Sequence, residues 1–342
     1  MRALLSSFMT DKSSAIVTRP PVLPNGFPSG LWWGLLGVAA FSLTVPLTRV
    51  AVGGLPPLFI GAGRAVIAAV LAAAALVLLR QRLPQGRQWA RLVVVGAGVV
   101  VGFPLLTSYA LATVPASHGA VVIAMLPATT AVAAVVRGRE RPARAFWMAA
   151  GVGALAALVF ASVQSGGAVR LQWADLLLFG AVVAAAIGYA EGGLLAREIG
   201  AWQTVSWALV VCAPLMVVLT LAAAPALTTG VSLEEWAAFA YLGVVSMFLG
   251  FVAWYRGLGI GPIVLVSQVQ LVQPVLSIAW AGLLLGEEIT GATVLGGLVV
   301  ILCAGGAVRS RAGRITPCPP SSASSSASSC PARSSGSASG CC

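Results

Sequence analysis

From Leu31 onward the chain is written as apolar runs of roughly 20 residues, separated by short polar punctuation rich in Gly, Pro or Arg. A helix of about 20 apolar residues crosses the roughly 30 Å of a bilayer's hydrocarbon. Runs this long without alternation read as helices, since lipid leaves only helices or closed barrels with satisfied backbones. Ten spans are expected, at about 31–52, 57–79, 92–112, 117–136 and 145–163, then 173–195, 203–224, 236–258, 263–286 and 290–308. The flanks have a different texture. Residues 1–29 hold Asp11, Lys12, Arg19 and only a short apolar patch, too poorly flanked for a signal peptide, and read as a disordered cytoplasmic lead-in. Residues 309–342 are dominated by Ser and Ala, cannot bury a core, and read as a disordered cytoplasmic tail.

The pattern also repeats. Sliding the chain back by 147 positions lays Pro274 on Pro127, Glu287 on Glu140 and the flanking Leu258 on Leu111. Proline, carboxylate and leucine coinciding at one offset point to an internal duplication of five spans per copy. An odd number of spans obliges the copies to enter the membrane in opposite senses, giving a pseudo-two-fold axis in the membrane plane.

Composition agrees with the pattern. The hydrophobic fraction is 59% and the charged fraction 8%, against about 25% charged in soluble domains. The formal charge is +11, and its placement matters more than its size. With the N-terminus inside, basic residues gather in the inside segments, chiefly at Arg80–Arg91, Arg137–Arg144 and Arg309–Arg333, leaving only Arg49 and Arg170 outside and Arg64 within a span. That bias predicts cytoplasmic N- and C-termini and an outward-facing Glu287–Glu288 loop. The arginines are scattered singly and form no basic face, which argues against nucleic-acid binding. The six cysteines, Cys212 and Cys303 in apolar runs and four in the tail, have no metal spacing. Most tryptophans fall near span ends, as expected at headgroups.

The run LLLGEEITGATVLGGLVVILCAGG from Leu283 to Gly306, its weaker copy at Gly138 to Ala157, the Pro127/Pro274 pair and Arg64 in GRAVIAAVL carry a resemblance to the drug/metabolite transporter superfamily, specifically its EamA-like family. The resemblance covers about residues 30–308. In the first copy the Gly-Glu pair is split as Gly138-Arg139-Glu140, so the second copy matches better. The resemblance implies an all-α membrane protein of ten helices in two inverted five-helix repeats, 30–164 and 172–308, with a central cavity open alternately to each side. It implies a plasma-membrane exporter or exchanger of small, amino-acid-like metabolites or drugs. A flippase for a lipid or lipid-linked precursor is the alternative within the superfamily.

Candidate chemistry is sparse and therefore easy to place. At 100° per residue, Ser267, Gln270, Gln273, Pro274, Ser277 and Trp280 share one face of about 140° on the ninth span. In lipid such a stripe must face protein or a watery cavity, and Pro274 leaves a backbone carbonyl free. The stripe is either cavity lining or interhelical hydrogen bonding. On the fourth span Pro127 is accompanied only by Thr129 and Thr130. Arg64, near the middle of the second span, costs at least about 2.5–3.5 kcal/mol to insert and needs a partner, either helix-end carbonyls or an anionic solute group. Glu191 is the one carboxylate inside a span, on a small-residue face with Ala184, Gly188 and Gly192 that permits close helix approach. It is the candidate coupling residue for protons, because closure over a carboxylate favours its neutral form. Its alternative role is structural pairing near the cytoplasmic interface. Depth along the spans argues against an Arg64–Glu191 pair. His118, without acidic sequence neighbours, reads as interfacial. Tyr109, Tyr189 and Trp254 are candidate aromatic cavity walls.

No paired aspartates, Ser/His arrangement or phosphate loop is present, which argues against an intramembrane enzyme and against ATP-driven transport. Any uphill transport would be secondary. No cofactor or metal is expected. The expected partners are a small-molecule substrate, membrane lipids and protons as coupling ion, with a homodimer left open.

Overall fold

The computed structural model describes residues 29–138, 173–227 and 230–288, with isolated positions at 147–155 and 291–302. The fifth and tenth expected spans, Glu140, Arg170 and both termini lie outside the described residues.

Everything described is helical or short connection. In order the helices are α1 (Ser29–Ser42), α2 (Thr44–Ala51), α3 (Pro57–Leu78), α4 (Arg87–Val95), α5 (Phe103–Leu111), α6 (Ala116–Ile123), α7 (Leu126–Gly138), α8 (Trp173–Ile199), α9 (Ala201–Ala223), α10 (Leu233–Tyr241), α11 (Phe251–Ile260), α12 (Ile263–Val269) and α13 (Val272–Leu285). Many of them join end to end. Among the described residues seven helical stretches are long and apolar enough to cross a membrane: Gly30–Ala51, Pro57–Leu78, Arg87–Leu111, Trp173–Ile199, Ala201–Ala226, Leu233–Ile260 and Val266–Leu285. The fourth expected span is a pair of shorter helices, α6 and α7.

Three spans that pure hydropathy draws as continuous are broken, and each break lies just before a proline. A proline removes the N–H that would bond the carbonyl four residues back. Pro46 follows the turn at Leu43, Pro127 the turn at Ala124–Met125, and Pro274 the turn at Gln270–Leu271. The freed carbonyl of Ser42 accepts from Ser277 Oγ at 2.6 Å, and that of Phe41 from Gln273 Nε2 at 3.4 Å. Broken backbone is tolerated at membrane depth where protein side chains satisfy it.

Two further spans contain a π-helical stretch, Gly96–Gly102 between α4 and α5 and Leu242–Gly250 between α10 and α11. Their midpoints lie 147 positions apart, as do the starts of α6 and α12. The connections match too. Arg49 donates to the carbonyls of Leu111 and Ala112 at the end of α5. Arg197 donates to those of Leu258 and Gly261 at the end of α11. A cation on the last carbonyls of a helix complements its dipole.

Packing follows the small residues. α8 lies against α4 and the first π stretch, where a Cβ added to Gly98 would stand 2.3 Å from the Ala184 carbonyl oxygen and one on Gly188 would strike Val99. α3 packs along α9, and α1 against α11, with Gly37 set directly on the Trp254 backbone. The small face around Ala184, Gly188 and Gly192 thus receives α4 and, at Gly192, the ring of Tyr255.

Candidate functional site

Between these helices lies a narrow cavity lined by Phe41, Thr44, Arg64, Phe103, Leu126, Tyr189, Ser246, Met247, Phe251, Gln270 and Gln273. The room left open inside it is water-sized. The lining comes from seven stretches of chain. α1 ends and α2 begins at the wall, α3 contributes Arg64, the π stretch before α11 contributes Ser246 and Met247, and the turn before α13 contributes Gln270. Two of the three proline breaks deliver lining residues, and Leu126 beside Pro127 supplies the third. Irregular helix at membrane depth next to a cavity is where solutes are held in such folds, and π stretches recur at functional sites.

Arg64 is 1% exposed. Its Nη2 reaches Thr107 Oγ1 at 3.4 Å, and its Nε has no hydrogen-bond partner. No carboxylate lines the cavity. The other polar groups are largely committed to one another: Thr44 Oγ1 and Ser246 Oγ lie 2.8 Å apart, and Gln270 Nε2 donates to Gln273 Oε1 at 3.3 Å. Gln270 Oε1 is left without a partner.

The stripe on the ninth span divides in two. Gln270 and Gln273 line the cavity, while Ser277 and Trp280 hold the α1 break, Trp280 Nε1 donating to Ser42 Oγ at 3.2 Å. Ser267 is buried and donates to the Val264 carbonyl of its own helix. Pro127 and Pro274 are buried beside the lining. Tyr189 lines the cavity, whereas Trp254 stands behind it, fully buried, with its ring 5.4 Å from Tyr189 and 6.2 Å from Phe41. Tyr109 is placed differently from its expected role: it is 45% exposed and turned away from the cavity, because the inward face of α5 is taken by Thr107, Ser108 and Leu111. Phe41, Thr44, Phe103, Ser246, Met247 and Phe251 line the cavity without having been singled out in the sequence. The one signal for the first two is Pro46 beside them.

Glu191 sits well away from Arg64, in an open vestibule lined by Gln85, Arg87, Gln88, Arg91, Arg137 and Glu198 at one end of the bundle. It is 3% exposed and ion-paired to two arginines, Arg91 from α4 and, at 2.5 Å, Arg137 from α7. Arg91 also pairs with Glu198, two helical turns further toward the end of α8. Three helices are thereby tied together around one carboxylate. At the opposite end Glu287 accepts from the backbone N–H groups of Ala116 and Ser117 at 3.0 and 3.1 Å, closing the end of α13 onto the start of α6. There too His118 has a partner that its sequence neighbours do not show: its Nε2 lies 2.7 Å from Asp175 Oδ1, 57 positions away and brought near by the packing of α6 on α8. Among the described residues no group of three His, Cys, Asp or Glu could hold a metal ion.

Comparison with known proteins places this geometry. The EamA-like transporter family matches twice, at residues 28–162 and 172–308. The chain is similar to a protein of Bacillus subtilis (strain 168) described as the uncharacterized transporter YdeK, 42% identical over 276 residues that cover 81% of this chain and 96% of that one. A solved crystal structure, 20% identical, superposes with a TM-score of 0.63 over 82% of this chain and 98% of the other, a likeness of fold. With a family match on both halves and a relative of this identity, the chain belongs to the EamA-like transporter family, membrane transporters of the drug/metabolite transporter superfamily.

Proposed function

We propose that this chain is a secondary-active exporter or exchanger of small, amino-acid-like metabolites or drugs in the plasma membrane, working by alternating access around the Arg64 cavity. The observation that carries the reading is that narrow cavity around a buried arginine, bounded by three proline-broken helices, with contacts that reach across the bundle at both ends. Broken helices can move as half-helices, and the end contacts are made of ion pairs and caps that can open one end at a time.

Ten helices in two inverted five-helix repeats is the architecture this reading uses. It is supported by the π stretches and half-helices recurring at an offset of 147, and by Arg49 and Arg197 capping matching helices at opposite ends. Cytoplasmic termini are favoured by the crowding of Arg80, Arg82, Arg87, Arg91 and Arg137 toward the Glu191 end. On this topology Glu191 with Arg91 and Arg137 is the cytoplasmic seal, and Glu287 on Ala116 and Ser117 the outer one. Glu191 remains the coupling candidate: a proton arriving on its carboxylate would replace the charge the arginines supply and release them.

The test is an untargeted comparison of metabolites retained and released by cells with and without the protein. A reproducible set of small solutes shifted outward in its presence supports the reading. Indistinguishable profiles at good membrane abundance refute it.

A further inference from the structure

We infer that the open vestibule around Glu191 binds one anionic phospholipid of the cytoplasmic leaflet, its phosphodiester held by Arg87 and Arg137 and an acyl chain lying in the groove between α4, α7 and α8. The inference goes beyond the transport reading and concerns a site separate from the Arg64 cavity. The vestibule has two zones. Its mouth is polar, with Gln85, Arg87 and Arg91 at the start of α4, Arg137 near the end of α7 and Glu198 near the end of α8. Its inner wall is apolar, formed by Val94, Val136, Ile187 and Leu194. Val136 is 80% exposed, and Val94 and Ile187 are exposed as well, so this wall is open at a depth where acyl chains are the solvent. From position 198 to 187 α8 descends 11 residues, about 16 Å at roughly 1.5 Å per residue. That is about one leaflet's share of the roughly 30 Å of hydrocarbon. Charge above and apolar surface below is the order of a lipid's own parts.

The charges select the head. In the described lining, Arg87, Arg91 and Arg137 stand against two carboxylates, Glu191 and Glu198, which leaves one positive charge over. A phosphodiester without a cation of its own is its complement, whereas a zwitterionic headgroup leaves that charge unmatched. The free donors are also in place. Arg91 is committed to both carboxylates. Arg137 gives Nε and Nη2 to Glu191 yet keeps 57% of its side chain exposed, and a guanidinium has five N–H donors. Arg87 is exposed and, among the described residues, belongs to none of these ion pairs. Two guanidinium forks reached from one opening suit two-point contact with a phosphate, and basic pockets between spans on the cytoplasmic side hold anionic headgroups in this way. A free phosphate has the same head chemistry but nothing to lay against Val94, Val136 and Ile187. Because Arg137 is shared, a lipid phosphate drawing on it loosens its hold on Glu191, so occupancy favours opening of this end.

Native mass spectrometry of the purified full chain tests this, with phosphatidylglycerol and phosphatidylcholine of identical chains as probes. At equal lipid concentration the first phosphatidylglycerol should be retained at least fivefold more than phosphatidylcholine. Arg87→Glu should bring the two lipids within twofold of each other. Arg82→Glu, exposed at the same end but outside the vestibule, should keep the preference. Equal retention of both lipids by the wild type overturns the inference, as does an unchanged preference in Arg87→Glu or an equal loss in Arg82→Glu, which would mark general surface charge. The deacylated headgroup, glycerophosphoglycerol, in hundredfold excess should leave the bound lipid in place; displacement overturns the inference in favour of a site for free anions. Val136→Trp fills the groove at an exposed position without touching a charge. It should lower phosphatidylglycerol retention at least threefold, and unchanged retention overturns the acyl-chain assignment. Should Arg87→Glu not be recovered, the wild-type comparisons and Val136→Trp decide.

Discussion

Removing Glu287 should unfasten the two halves of the bundle at one end. Its carboxylate accepts two backbone N–H groups at the start of α6, at 3.0 and 3.1 Å. Hydrogen bonds to a charged group contribute about 1.5–3 kcal/mol each, and an anion at a helix N-terminus adds roughly 0.3–1 kcal/mol. Glu287 is only half-buried, so solvent screening reduces the total, and Glu287→Ala should cost about 2–3 kcal/mol. At roughly 2–4 °C per kcal/mol for chains of this order of size, the melting temperature in detergent should fall by about 5 °C or more. Glu287→Gln keeps one acceptor oxygen and should lose about half as much. Glu288→Ala, one residue on and exposed, should change little. Thermal unfolding of the purified protein followed by size-exclusion recovery reads all three. If Glu287→Ala melts within a degree of wild type, or if Glu288→Ala costs as much, the cap does not hold these halves together.

Three more outcomes follow from the geometry. Gln270→Leu and Gln273→Leu should reduce transport with near-normal membrane abundance, because both face the cavity, whereas Leu271→Gln, which places an amide in a buried apolar position, should lower abundance itself; abundance by in-gel fluorescence beside efflux separates these. Glu191→Gln should abolish transport driven by an imposed pH gradient in proteoliposomes yet retain exchange between equal compartments, and a variant that still concentrates solute removes Glu191 as the coupling residue. Impermeant thiol labelling of intact cells should modify a cysteine placed at Glu288 and spare one placed at Arg137, and the reverse pattern would invert the topology.

Much of the scaffold was legible in the sequence, because a stretch of apolar residues about 20 long has one solution in lipid and the positions of Arg64 and Glu191 inside such stretches are costly enough to stand out. The stripe from Ser267 to Trp280 was legible for the same reason. Its division of labour was not: whether Ser277 faces water or the Ser42 carbonyl depends on where Pro46 breaks a different helix, and hydropathy passes over a proline in an apolar run. The walls were hidden differently. Phe41, Phe103, Met247 and Phe251 sit on helices apolar on every side, so periodicity marks no inward face, and Tyr109 was assigned to a wall on residue type alone. Arg91 and Arg137 counted as loop charges by position, yet their long side chains reach back to Glu191, and His118 met its acid only through folding.

The central claim is a cavity reached from each side in turn, and one residue reports it. Met247 lines the cavity and is buried in this conformation. In a background with the native cysteines replaced, a single cysteine at Met247 can be reacted with an impermeant thiol reagent in right-side-out and in inside-out vesicles. Alternating access predicts slow modification from both sides, with exported solute changing the two rates in opposite directions. Modification from one side only, whatever solute is present, would contradict it.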